Sequence, residues 1–196
     1  MDNCSFDQTK LNQALAMLEE QLELMDSPAY ELVVCGGSAL IAMSLVARTT
    51  CDVDVLALMS NNQLISSEPL PRQLMEAAEK VGRIMNLSTG WLNSGPTSQL
   101  QLGLPEGFQE RLTFCSIGEK LAVYYISRID QIFFKTFASA DRGGYHVADL
   151  RALNPTEDEL VAAALWCMTQ DVSPEFRGIL RDMFQQLGWP NVRSRI

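Results

Sequence analysis

An alternation of acids and apolar residues sits inside the most hydrophobic part of this chain and limits what can form there: Thr50-Cys51-Asp52-Val53-Asp54-Val55-Leu56. In an extended strand, successive side chains point to opposite faces, so Asp52 and Asp54 share one face while Val53 and Val55 enter the core on the other. Like charges about 6–7 Å apart repel by roughly 2–3 kcal/mol at an effective dielectric near 20. A cation between them offsets that cost, and hard carboxylate oxygens suit Mg2+ or Mn2+. An isolated Asp-x-Asp is common on solvated strand faces, so the neighbouring sequence decides how much it means.

Upstream, Glu31-Leu32-Val33-Val34-Cys35 reads as a short buried strand that runs into Gly36-Gly37. Ser38 is placed to cap a helix over Ala39 to Ala47, and the next strand spans Cys51 to Leu58. Glycines let an anion approach the backbone closely, and a serine hydroxyl adds a donor. Gly-Gly turns before helices often only permit the bend. Here, fourteen residues after Ser38, the chain delivers Asp52. A helix of that length returns the chain beside its first strand. That brings a glycine-lined phosphate site and a two-acid metal site to one end of one sheet, as nucleotide–Mg2+ chemistry requires.

Elsewhere the pattern predicts an α/β (α+β) fold with a C-terminal helical segment. Residues 7 to 25 carry Leu11, Leu15, Leu18, Leu22 and Met25 at helical spacing. Asn61 to Pro71 reads as a polar loop. Pro71 to Met85 reads as a helix with Leu74, Ala77, Ala78, Val81 and Ile84 on one face. Ser88 to Gly107 reads as an irregular loop around Trp91, which is either a core anchor or a surface for base stacking. Two strands, Arg111 to Ile117 and Lys120 to Ile126, flank Gly118-Glu119 as a two-residue hairpin turn. Helices follow over Ile129 to Ala140 and Tyr145 to Leu153, joined by Arg142-Gly143-Gly144. Thr156 and Glu159 form a capping-box pattern before Leu160 to Met168, and a last helix from Ser173-Pro174 stops at Gly188. The expected division is an α/β core over 1–127 and a helical region over 128–196 packed on it as one structural unit.

The order Gly36-Gly37-Ser38, helix, Arg48-x-Thr50-x-Asp52-x-Asp54 resembles the minimal nucleotidyltransferase superfamily, with its polymerase-beta-like core. Trp91-Leu92-Asn93, Lys135 in Ile132-Phe133-Phe134-Lys135, and Asp149-Leu150 carry the likeness over residues 10 to 155. They point toward an uncharacterised bacterial branch similar to abortive-infection toxins of toxin–antitoxin systems. The resemblance implies a mixed sheet flanked by helices and Mg2+ (or Mn2+) held by Asp52 and Asp54. It also implies nucleotide transfer from a nucleoside triphosphate to an acceptor hydroxyl on a protein, an RNA end or a small molecule. Gly36, Gly37, Ser38 and Arg48 would face the triphosphate, and Lys135 would reach a nucleotide phosphate. Arg48 has a second reading as a partner for Asp52 or Asp54, and Lys135 one as a helix residue reaching solvent.

Two departures from the family pattern stand out. Active members add a third carboxylate from a neighbouring strand, and the strands over 112–117 and 121–126 contain no Asp or Glu; Glu119 sits at the hairpin tip and Asp130 beyond the second strand. Related toxins carry an acid three residues before the position of Asp149, where this chain has His146, its single histidine. His146 and Asp149 are accessory candidates, with His146 more plainly an ordinary exposed or hydrogen-bonded side chain. The alternative to an enzyme is a degenerate nucleotidyltransferase fold that binds a nucleotide or a partner protein without turnover.

The net charge of −9 disfavours broad nucleic-acid binding, and no basic stripe offsets it. Five cysteines without metal-ligand spacing suit reduced, mostly buried thiols and a cytoplasmic location. The first residues lack the basic start and apolar stretch of a signal peptide, and no apolar run reaches membrane-spanning length.

Overall fold

The computed structural model describes residues 5–196. Cys4 and the very start of the chain therefore lie outside the described residues. The chain divides into two compact units, Met1–Leu104 with Gln109–Ile126, and Pro105–Phe108 with Ser127–Ile196.

The first unit is a mixed six-stranded sheet with helices. Its elements are α1 (Gln8–Leu24), β1 (Tyr30–Cys35), α2 (Gly36–Ala42), β2 (Val53–Ser60), β3 (Gln63–Ser66), α3 (Arg72–Met85), β4 (Leu92–Asn93), α4 (Ser98–Leu102), β5 (Thr113–Ser116) and β6 (Leu121–Tyr125). The strand order is β3-β2-β1-β6-β5, with β4 also pairing β2. The α/β expectation holds, and β2 does lie beside β1. It runs antiparallel, however, with Cys35 opposite Asp54 and Leu32 opposite Leu58. Helix α2 ends at Ala42, short of the expected Ala47, and β2 begins beside the end of β1. The parallel partner of β1 is β6.

Helices α1 and α3 supply the apolar stripe that the periodicity predicts. Leu11, Leu15, Leu18 and Leu22 join Leu74, Ala77, Ala78 and Val81 against Leu32, Val34, Val53, Val55 and Val123. Ile84, expected on the same face, stays exposed. Trp91 is a core anchor, 2% exposed, with its indole N–H donating to the Ala78 carbonyl at 2.8 Å.

Several sequence expectations need correction. The segment after β2 is a hairpin into β3 rather than a loop, because Asn61 and Asn62 accept φ values of 50° and 60°. The segment over 88–107 carries β4 and α4. The turn between β5 and β6 is wider than two residues: Ile117 and Gly118 both donate to the Leu121 carbonyl at 3.1 Å. Glu19 of α1 is the reason. Its buried carboxylate accepts from Lys120 N at 2.9 Å, and a Cβ on Gly118 would collide with it.

The second unit is helical: α5 (Arg128–Arg142), α6 (Tyr145–Ala152), α7 (Glu157–Gln170), α8 (Pro174–Gln186) and α9 (Pro190–Arg195). The capping box at α7 is present in both directions, Glu159 N to Thr156 Oγ1 at 3.2 Å and Thr156 N to Glu159 Oε2 at 2.8 Å. Ile132, Leu150, Leu160 and Leu180 are fully buried in this unit, beside an aromatic cluster in which Phe134 lies near-parallel to Trp166 at 5.5 Å, Phe108 stacks on Phe134 at 6.2 Å, and Phe137 bridges Trp166 and Phe176. No helix among the described residues is long and apolar enough to cross a membrane.

Candidate functional site

The end of β1 and the start of β2 meet at Cys35↔Asp54, so the glycine bend and the acids are neighbours. Gly36 has φ +69°, and a Cβ there would collide with Asp54 Oδ2. A Cβ on Gly37 would stand 2.6 Å from Thr50 Oγ1, 2.9 Å from Thr50 Cβ and 3.1 Å from an Arg48 terminal nitrogen. Both positions are thus kept bare by specific side chains, and those side chains come from the Arg48-x-Thr50-x-Asp52-x-Asp54 run. Positive φ alone favours glycine at 36; the close approach demands it at 37.

The segment carrying these residues is pinned on several sides. Phe6 and Thr50 exchange two backbone hydrogen bonds, at 2.6 and 3.1 Å. Ser88 Oγ donates to the Cys51 carbonyl at 2.9 Å, and Arg48 Nη1 donates to the Thr49 carbonyl at 2.8 Å. Because these contacts occupy residues 49–51, and β1 stops at Cys35, the ladder begins only at Val53. Asp54 is on the strand, as expected. Asp52 precedes it, and Thr50 Oγ1 donates to Asp52 Oδ1 at 3.0 Å. Both acids are half-buried.

Ser38 does not cap α2. The helix starts at Gly36, with Cys35 at the capping position and no side-chain cap. Ser38 is the third helical residue, fully buried, with its hydroxyl donating to the Cys35 carbonyl at 3.4 Å. A seven-residue helix contributes little dipole. The case for an anion here therefore rests on the Arg48 guanidinium beside the bend.

The remaining candidates lie in the second unit. Lys135 is 4% exposed and its Nζ sits 2.7 Å from Asp149 Oδ2, beneath the Tyr145 ring at 5.6 Å. The pair therefore spends the Lys135 charge on Asp149, not on solvent. His146, expected as an exposed or hydrogen-bonded side chain, is buried, 8% exposed, with its ring 4.1 Å from that of Tyr145. Gly143 and Gly144 both have φ 62° and join α5 to α6 as a connector.

A metal ion is what the acid pair suggests, and its fit can be judged from the donors. Mg2+ is commonly held by one or two carboxylates, with substrate phosphates and waters completing its shell. Asp52 and Asp54 match that pattern. Among the described residues, no group of three His, Cys, Asp or Glu is placed to hold a metal ion, so an all-protein cage is not available. Of the cysteines, Cys35 and Cys167 are buried, Cys115 is half-buried and Cys51 is exposed, and none of these four is in a disulfide.

Two residues of this site carried no role in the sequence reading. Thr50 was visible at even spacing from both acids. Asn93, which the Trp91-Leu92-Asn93 likeness contains without a role, lies across from Asp54 on β4.

A family model described as a nucleotidyltransferase of unknown function (DUF6036) matches residues 13–165, from α1 into α7. No curated protein and no solved structure matches the chain.

Proposed function

We propose, from the premise that this chain belongs to the DUF6036 family of nucleotidyltransferases of unknown function, that its first unit transfers a nucleotide from a nucleoside triphosphate to an acceptor hydroxyl. The observation that carries this reading is the juxtaposition of Gly36 and Gly37 with Asp54, Thr50 and Arg48. In it, Gly36 and Gly37 let Asp54, Thr50 and Arg48 close onto the bend, and Arg48 offsets the charge of the phosphates. Asp52 and Asp54 bind the divalent cation that accompanies the nucleotide, and Thr50 orients Asp52 through its hydroxyl. Mg2+ or Mn2+, when bound there, supplies phosphate charge neutralisation and a more acidic acceptor hydroxyl. The acceptor oxygen bonds to the α-phosphorus, the bond to pyrophosphate breaks, and the hydroxyl proton passes to a carboxylate of the pair. The setting proposed is a bacterial toxin–antitoxin or phage-defence pair with a cognate partner protein, supported by the likeness at Lys135 and Asp149-Leu150; the triphosphate substrate suits a cytoplasmic location.

One observation favours a second reading, a nucleotide-binding protein without turnover: no third carboxylate joins the pair among the described residues. Incubation with each α-labelled nucleoside triphosphate, Mg2+ and cell extract separates the two. The transferase labels an acceptor, and Asp52→Asn with Asp54→Asn abolishes the label. A wild-type protein that gains thermal stability with nucleotide yet labels nothing is the binder.

A further inference from the structure

The register of β4 brings a neutral side chain to the acids. β4 runs parallel to β2, with Leu92 opposite Val53 and Asn93 opposite Asp54. Leu92 and Val53 are both buried in the core. The two-residue period of a strand then puts Asn93 and Asp54 side by side on the other face, on backbones about 4.8 Å apart. Asp54 therefore has the glycine bend on one flank, through Cys35, and Asn93 on the other.

The orientation of the Asn93 amide follows from its partner. Gly95 N–H reaches Asn93 Oδ1 at 2.9 Å. A backbone N–H only donates, so the atom it meets is the amide oxygen, and the NH2 group with its two donors is turned the other way. The end of β4 is fixed as well, since Ser94 Oγ donates to the Glu68 carboxylate.

We propose that Asn93 is a ligand-binding residue of this site, whose side-chain NH2 donates to a phosphate oxygen of the nucleotide held at Asp54. The inference rests on the proposed nucleotidyltransferase reading. A donor here attracts an anion where a third carboxylate would repel it. A site with two acids and one amide donor also holds a bare divalent cation weakly, so the cation enters with the nucleotide.

Asn93→Asp tests this with little structural change, because a carboxylate oxygen still accepts from Gly95 N–H while both donors are lost and a third acid appears. Asn93→Ala serves as the second variant. Calorimetric titrations use MnCl2 alone and Mg2+ with each of ATP, CTP, GTP and UTP, alongside ligand-free melting temperatures. The wild type should bind at least one Mg-nucleotide, and bare Mn2+ at least tenfold more weakly. Asn93→Asp should tighten bare Mn2+ at least tenfold and weaken the nucleotide at least fivefold. Asn93→Ala should weaken the nucleotide without tightening Mn2+. Unchanged nucleotide and Mn2+ affinities in Asn93→Asp overturn the inference alone and leave Asn93 as a brace for Gly95. A wild type that binds none of the four nucleotides overturns the nucleotidyltransferase reading and this inference together.

Discussion

Replacing Lys135 by Met tests the buried pair in the second unit. Lys135 Nζ and Asp149 Oδ2 are 2.7 Å apart, with side chains only 5% and 2% exposed. Removing one member of such a pair strands the other charge in a poorly solvated site, a loss of about 3–5 kcal/mol. Methionine keeps the length of the lysine stem, so little of that loss comes from a cavity. For a chain of this size each kcal/mol moves the melting temperature by about 2–4 °C, so Lys135→Met should melt about 6–20 °C lower. Lys135→Met with Asp149→Leu removes both charges together. Apolar replacement of a buried ion pair is often neutral or stabilising, so the double variant should recover most of the loss, with a coupling of at least about 2 kcal/mol in a double-mutant cycle. Urea unfolding followed by fluorescence suits the measurement, because Trp166 stacks on Phe134, next to Lys135 in sequence. A single variant that loses less than about 1 kcal/mol, or a double variant whose loss equals the sum of the singles, refutes the buried-pair reasoning.

At the glycine bend, Gly37→Ala should cost about 1–3 kcal/mol from overpacking against Thr50 and eliminate any nucleotide-dependent rise in melting temperature. A protein of wild-type stability and response removes the close approach from consideration. Acid should weaken the second unit through Glu159, whose carboxyl is held below its ordinary range chiefly by the hydrogen bond from Arg128, with Thr156 N–H adding to it. A depressed carboxyl contributes stability above its unfolded pKa of about 4.3, and that contribution fades as pH falls through the lower folded value. Chemical denaturation between pH 6 and 3 should therefore show a smaller acid loss in Glu159→Gln than in wild type; equal slopes contradict the assignment.

What the sequence made legible tracks how local each cause is. The α7 capping box needs only Thr156 and Glu159 three residues apart, and it formed as read. The stripe on α1 needs only its own period, and Leu11, Leu15, Leu18 and Leu22 are buried. The direction of β2 is set by pairing between distant residues, Cys35 with Asp54 and Leu32 with Leu58, which no local period announces, and the expected helix over Ala39 to Ala47 ran past its end at Ala42. The β3 hairpin was legible in Asn61-Asn62, since asparagine tolerates positive φ, but the polar composition spoke for a loop. Helix α9 begins with Pro190 after Trp189, beyond the Gly188 at which the pattern stopped. Within the site, the Asp-x-Asp spacing was readable. The collision that keeps Gly36 bare was not, because Asp54 reaches it across a strand pairing. The burial of Lys135 and His146 depends on packing around α5 and α6 that no spacing in the sequence announces.

The most direct measurement is the melting temperature of the wild type and of Asp52→Asn/Asp54→Asn across a concentration series of Mg-nucleoside triphosphates. At one hundred times the dissociation constant, a ligand confined to the folded state adds about 2.7 kcal/mol, or about 5–11 °C for a chain of this length. The wild type should show that rise with at least one nucleotide and the double variant none. An equal rise in both proteins would mean that the phosphate chain and its cation bind somewhere other than between the aspartates and the Gly36-Gly37 bend.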